Sequence, residues 1–152
     1  MHIVLVEPEI PANTGNIART CAVTGARLHL VGKLGFSTED KYLKRAGLDY
    51  WHLLDITYYD NFAQLLERYP SARLHLATTK GGRWYTDVPY GPDDFLVFGK
   101  ETQGLPRELL EAYSEQCIRI PMLPGVRSLN LSNAVAIVLY EALHQQGFVG
   151  FV

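Results

Sequence analysis

Residues 117–146, CIRIPMLPGVRSLNLSNAVAIVLYEALHQQ, hold the stretch that decides the fold. They predict a short strand from Ile118 to Ile120, a loop broken by Pro121, Pro124 and Gly125, a polar segment SLNLSN, and then a helix. From Ala134 to Leu143 only Glu141 is charged, whereas an ordinary surface helix confines its apolar residues to one stripe. Burial on several sides is therefore expected. The run is far short of the roughly 20 residues that cross a bilayer, so protein must cover it, and a second subunit is one candidate cover. At its entrance stand Ser128, Asn130, Ser132 and Asn133, types that accept hydrogen bonds from the open N–H groups of a helix start. One cap serves one helix, so four such residues behind a Pro- and Gly-rich loop also suggest a polar pocket.

A chain of 152 residues, 47% of them hydrophobic, has the size and apolar content of one domain with its own core. The net charge of -2 and pI near 6.2 exclude a globally basic nucleic-acid binder and leave room only for a local basic patch. Cys21 and Cys117 are far apart and form no CxxC or Cys/His cluster, so no zinc site and no disulfide framework is expected. MHIVLVEP runs straight into a turn signal without a charged-then-apolar leader, and no run has transmembrane length. A cytoplasmic protein without bound metal is the expectation.

Working outward, Ile3 to Val6 reads as a strand buried on both faces, as in a parallel sheet. The loop PEIPANTGNIAR follows, with Asn13 or Thr14 as expected N-cap of a helix that turns Ile17, Cys21 and Val23 inward and ends at Gly25. Arg27 to Val31, Leu74 to Thr78 and Phe95 to Phe98 are further strands. Helices are expected from Ser37, from Asp60 to Tyr69, and from Pro106 to Ala112. On the helix after Ser37, Lys41, Lys44 and Arg45 share a face, either solvated or contacting phosphate. In TTKGGRWY, Lys80 and Arg83 precede Trp84 and Tyr85, which either stack on a single-stranded base or anchor the loop to the core.

Alternating strands and helices define an α/β domain with a mostly parallel sheet, and in such sheets ligands collect at the carboxyl ends of strands. Three loops there carry unusual chemistry: 7–19, 99–106 and 121–133. No GxGxxG follows the first strand, and P-loop, GxSxG and HExxH motifs are absent.

The three loops read P-x-N-x-G-N-I-x-R (Pro11 to Arg19), F-G-x-E-x-x-G-L-P (Phe98 to Pro106) and I-P-M-x-P…S-L-N-L-S-N-A (Ile120 to Ala134). In this order they resemble the three motifs of the SPOUT RNA methyltransferases over essentially the whole chain. They are most similar to the minimal single-domain group that 2′-O-methylates the wobble nucleotide, position 34, of certain leucine tRNAs. The resemblance implies one domain over 1–152 with a C-terminal trefoil knot, S-adenosyl-L-methionine as methyl donor, and a homodimer joined through the last helix. It places the donor at Ala77, Thr78, Gly99, Ile120, Met122, Ser128 and Leu129, with glycine at 99 allowing close backbone approach. Arg19, Glu101 and Asn130 are the implied catalytic residues, with Ser128 beside the reacting groups. Asn13, Asn16, Lys41, Lys44, Arg45, Lys80 and Arg83 are the expected contacts to the tRNA anticodon loop. The alternatives are 2′-O-methylation of ribosomal RNA or of another tRNA position, and a non-catalytic dimeric RNA-binding domain.

Overall fold

The computed structural model describes residues 1–39, 41, 45 and 53–152. Among these residues seven strands run parallel: β1 (His2–Val6), β2 (Arg27–Val31), β3 (Ile56–Tyr59), β4 (Leu74–Ala77), β5 (Arg83–Trp84), β6 (Phe95–Phe98) and β7 (Cys117–Arg119). Their order across the sheet is β3-β2-β1-β6-β4-β7-β5. The pleat explains the continuous apolar runs, because alternate side chains must fill opposite layers. Ile3, Leu5, Leu28, Leu30, Leu96, Phe98 and Ile118 face one layer, while Val4, Val6, Val31, Leu74, Leu76, Phe95, Val97 and Cys117 face the other.

Helices α1 (Pro11–Thr24) and α4 (Leu131–Gln145) cover the first layer; α2 (Phe62–Arg68) and α3 (Arg107–Ala112) cover the second. Val135, Val138, Leu139, Ala142 and Leu143 of α4 are buried, and Tyr140 remains exposed. Among the described residues no helix is long and apolar enough to cross a membrane.

Several local expectations change. β3 and β5 are additional strands, short and at the two edges of the sheet. Helix α1 starts earlier than expected, with Ile10 at the N-cap and Pro11 in the first turn, so Asn13 and Thr14 lie inside it. Pro suits that place because its missing N–H would have no helical partner. Val23 is exposed, whereas Ile17 and Cys21 are buried, and Gly25 closes the helix at φ 71° as expected. Asn61 caps α2 by accepting from the Gln64 N–H, and Pro106 is the N-cap of α3 rather than its first residue. Most of the helix expected after Ser37, with Lys44, lies outside the described residues.

The second layer holds a buried polar cluster across β1, β2 and β3. His2 Nδ1 and His29 Nε2 share a hydrogen bond of 2.8 Å, and His29 Nδ1 lies 3.2 Å from the Tyr59 hydroxyl. His2 stacks on Phe95 with ring centroids 4.0 Å apart. One of the two bonded nitrogens must offer a lone pair, so two imidazolium ions cannot share this bond. Burial depresses both rings to a pKa of about 4, against about 6.5 for the unfolded chain. The unfolded chain then binds protons that the folded chain refuses, so this stability is present above about pH 6.5 and is lost as pH falls toward about 4. Urea unfolding at about pH 7 and about pH 5 is expected to differ by roughly 2 to 4 kcal/mol. In His29→Leu that difference shrinks; an unchanged difference would assign the pH dependence to other groups.

Candidate active site

Strands β1, β6, β4 and β7 are consecutive in the sheet, so the loops leaving their carboxyl ends are neighbours although far apart in sequence. Glu101, from the loop after β6, reaches the loop after β1. Its Oε2 accepts from the Glu9 N–H at 2.8 Å, and its Oε1 accepts from the Ile10 N–H at 3.1 Å and from Asn13 Nδ2 at 3.0 Å. No side chain caps α1 from within its own loop. A carboxylate from another loop takes that place, where the positive end of the helix favours it.

Asn13 is thereby free to act sideways. Its Oδ1 accepts from Asn130 Nδ2 at 3.0 Å. Asn130 in turn is the N-cap of α4, and its Oδ1 accepts from the Ser132 N–H at 2.9 Å, the Ser132 hydroxyl at 2.6 Å and the Asn133 N–H at 3.3 Å. The direction of this chain follows from chemistry. An ionised Glu101 can only accept, so the amide nitrogen of Asn13 must face it and the amide oxygen must face Asn130. Asparagine at both 13 and 130 satisfies every link; aspartate at either would not.

Gly99 is required by the shape of its own loop. A Cβ there would stand 2.0 Å from the Gly104 carbonyl carbon and 2.2 Å from the Leu105 nitrogen. The backbone that comes close is thus the loop's own return, closed by the Gly104 N–H donating to the Lys100 carbonyl at 2.8 Å. The other residues expected to hold the donor gather at the same end of the sheet. Ala77, Thr78, Ile120 and Met122 are half-buried, while Ser128 and Leu129 are exposed on the loop that also exposes Leu123 and Val126. None of these side chains is charged. An apolar rim over strand-end backbone groups fits a flat aromatic base whose edges hydrogen-bond to main chain.

Arg19 and Asn16 lie one turn apart on the exposed side of α1. Asn13, Glu101 and Asn130 are brought together, whereas Arg19 stands two turns further along the helix that this group anchors. Lys41, Arg45 and Lys80 are exposed. The Arg83 guanidinium donates to the Glu115 carbonyl. Of the aromatic pair, Tyr85 is half-buried with its carbonyl accepting from the Tyr90 hydroxyl at 2.6 Å, and Trp84 is 46% exposed. Sequence reasoning passed over Glu7, Glu9, Lys100 and Thr102, which cross-link the first two loops. The signal was the i, i+2 placement of polar residues, Glu7 and Glu9 in one loop, Lys100 and Thr102 around Glu101 in the other.

Among the described residues, no group of three or more His, Cys, Asp or Glu could hold a metal ion. A cavity of about 320 Å³ lies among Met1, Ala26, Pro92, Leu143 and Phe148, at the opposite end of the sheet from these loops.

Parallel strands with their motif loops joined at the carboxyl end make an α/β enzyme scaffold with one composite site. The chain belongs to the SpoU rRNA Methylase family, whose model matches residues 1–140. The tRNA (cytidine(34)-2'-O)-methyltransferase of Escherichia coli (strain K12) is 51% identical over 153 residues, covering 100% of this chain and 98% of that protein. A solved structure reported for the 2-OH methylation of C/U34 on tRNA is 43% identical with a TM-score of 0.92, over 97% of this chain and 96% of the other. The AdoMet-bound rRNA methyltransferase from Sinorhizobium meliloti is 26% identical with a TM-score of 0.84, over 94% of this chain and 55% of the other.

Proposed function

We propose that the chain transfers a methyl group from S-adenosyl-L-methionine to the ribose 2′-hydroxyl of nucleotide 34 in tRNA, leucine isoacceptors first among them. The observation that carries this reading is the hydrogen-bonded chain Glu101–Asn13–Asn130, which ties all three motif loops into one site. Full-length similarity to a tRNA cytidine-34 2′-O-methyltransferase supports the choice of substrate. The donor, when bound, supplies an electrophilic methyl group, and the 2′-hydroxyl proton is released to water as the ribose oxygen takes that methyl. Ala77, Thr78, Gly99, Ile120, Met122, Ser128 and Leu129 hold it, mostly through backbone.

Arg19 meets the negative charge that grows on the ribose oxygen and the phosphate beside it. A guanidinium stays protonated at any working pH, so it acts as a donor and a charge and not as a base. Glu101 and Asn130 act through the geometry of the loops, and Asn13 and Asn16 shape the face that meets the RNA. The test is transfer from labelled donor to leucine tRNA transcripts, followed by mapping of the methylated nucleotide. Label at a position other than 34, or in ribosomal RNA only, would overturn the substrate assignment.

The reading extends to a single domain over 1–152, a C-terminal trefoil knot and a homodimer packed through α4, acting in the cytoplasm. Support for the knot is the closeness of segment 78–82 to β7, where a Cβ on Gly81 would lie 2.7 Å from the Ile118 carbonyl carbon. A crystallographic chain trace that pulls straight from its two ends would refute it. The exposed Tyr140 on α4, beside Phe148 at 6.3 Å between ring centroids, supports the dimer. A stable monomer at micromolar concentration by sedimentation would argue against it.

Lys41, Lys44, Arg45, Lys80 and Arg83 supply the phosphate attraction that a net charge of -2 does not. Affinity for tRNA should fall steeply with salt, and alanine at Lys41, Lys80 and Arg45 together should flatten that slope by roughly two to three units. An unchanged slope would move the RNA surface elsewhere.

A further inference from the structure

Two cross-links outside the Glu101–Asn13–Asn130 chain join the first motif loop to the second. Lys100 Nζ donates to Glu7 Oε2 at 3.0 Å. Two residues along both loops, Glu9 Oε2 accepts from the Thr102 hydroxyl at 2.7 Å and from the Thr102 N–H at 3.2 Å. The pairs alternate with Glu101, which reaches back to the Glu9 N–H, so the loops are clasped from both sides.

The clasp holds a strained backbone. Glu7 has φ 50°, one of two non-glycine residues with positive φ among the described residues. That region is unfavourable for a residue with a Cβ and persists where surrounding contacts impose it. Here the Glu7 N–H donates to the Val31 carbonyl at 2.8 Å, and the Glu7 side chain crosses Gly32, where a Cβ would stand 2.8 Å from Glu7 Cγ. The Gly35 N–H donates to the Pro8 carbonyl at 2.9 Å. The β2 side thus braces the turn from one direction and Lys100 from the other. Beyond the turn the chain enters α1, a continuous helix from Pro11 to Thr24. The turn, together with the buried face of α1, therefore sets where Arg19 stands.

Neither pair is a core contact. The Lys100 and Glu7 side chains are 25% and 39% exposed, and partly exposed ion pairs add little to folding stability. A strained turn held by pairs that hardly stabilise the fold points to geometry as their purpose.

We propose that Glu7 and Lys100, together with Glu9 and Thr102, are positioning residues for methyl transfer, clasping the first loop to the second so that α1 presents Arg19 at the reacting ribose. This rests on the methyltransferase reading above. The test compares wild type with Lys100→Met, Glu7→Gln, Thr102→Val and the double variant Glu7→Lys with Lys100→Glu. Steady-state methylation, donor binding by calorimetry and thermal unfolding are measured for each.

The three single variants are expected to lose roughly tenfold in kcat, with tRNA KM, donor affinity and Tm close to wild type. The double variant, which restores an ion pair of opposite polarity, should recover most of the lost kcat. Unchanged kcat in the single variants would overturn the proposal, and so would a loss of kcat that follows Tm downward and is not rescued. All comparisons use whichever RNA the wild type methylates. Failure of the position-34 reading then appears as a different methylated nucleotide, and failure of the clasp as variants indistinguishable from wild type.

Discussion

Arg19→Ala is expected to lower turnover roughly 100- to 1000-fold with saturating donor and tRNA, the usual cost of removing a preorganised donor at a developing oxyanion. Donor affinity should persist, because the residues proposed to hold the donor lie at the end of β4, just after β6 and β7, and in the loop before α4, whereas Arg19 is on α1. Arg19→Lys keeps the cation but loses the planar fork that pairs with two oxygens at once, so it should fall between alanine and wild type. The pH profile separates charge from base chemistry. A side chain that removes the proton would appear as an ionisation in the wild type that vanishes in the alanine variant. No ionisation assignable to Arg19 is expected, since a guanidinium acts as a donor and a charge and not as a base. Near-normal turnover by Arg19→Ala would take it out of the site.

Asn13→Asp is the second substitution with a large expected effect. Asn13 is 5% exposed, and its Nδ2 lies 3.0 Å from Glu101 Oε1 while its Oδ1 takes the Asn130 amide. Aspartate keeps the shape and the bond from Asn130 but sets a second carboxylate against Glu101. Lost hydrogen bonding and like-charge contact in a buried place should cost about 3 kcal/mol, or roughly 6 to 12 °C in Tm.

Like-charged carboxylates this close hold one proton between them as pH falls. The sign follows directly: the defect is largest near neutral pH and shrinks in mild acid, where the shared proton restores an O–H···O link. Asn13→Ala should lose activity without that pH dependence. If Asn13→Asp were as stable and active as wild type at neutral pH, the hydrogen-bonded chain would not organise the site.

The sequence by itself determined the burial of the central strands. Runs such as Ile3 to Val6 and Phe95 to Phe98 are apolar on both faces, and only a strand covered on both sides satisfies them. It also placed a capped helix start in SLNLSN with Asn130 among four candidates, because capping is local chemistry between residues two or three apart, although the helix begins at Leu131, inside that segment. The motif loops were legible for the same reason, as were the left-handed Gly25 and the short apolar segment that starts at Ala134.

Tertiary structure decided the rest. Placing β6 between β1 and β4 brings Glu101 to the start of α1, 88 residues away from Asn13, and Asn13 to Asn130, 117 residues away. No local pattern carries such a partner. The Asn13 side chain therefore read as the cap of its own helix, when the cap is a carboxylate from another loop. Gly99 read as a place of close backbone approach, and only the fold shows that Gly104 and Leu105 come close there. Local sequence records what each residue can donate, accept or bury. Which partner it meets is decided by the order of strands, because only the sheet sets which loop ends stand side by side.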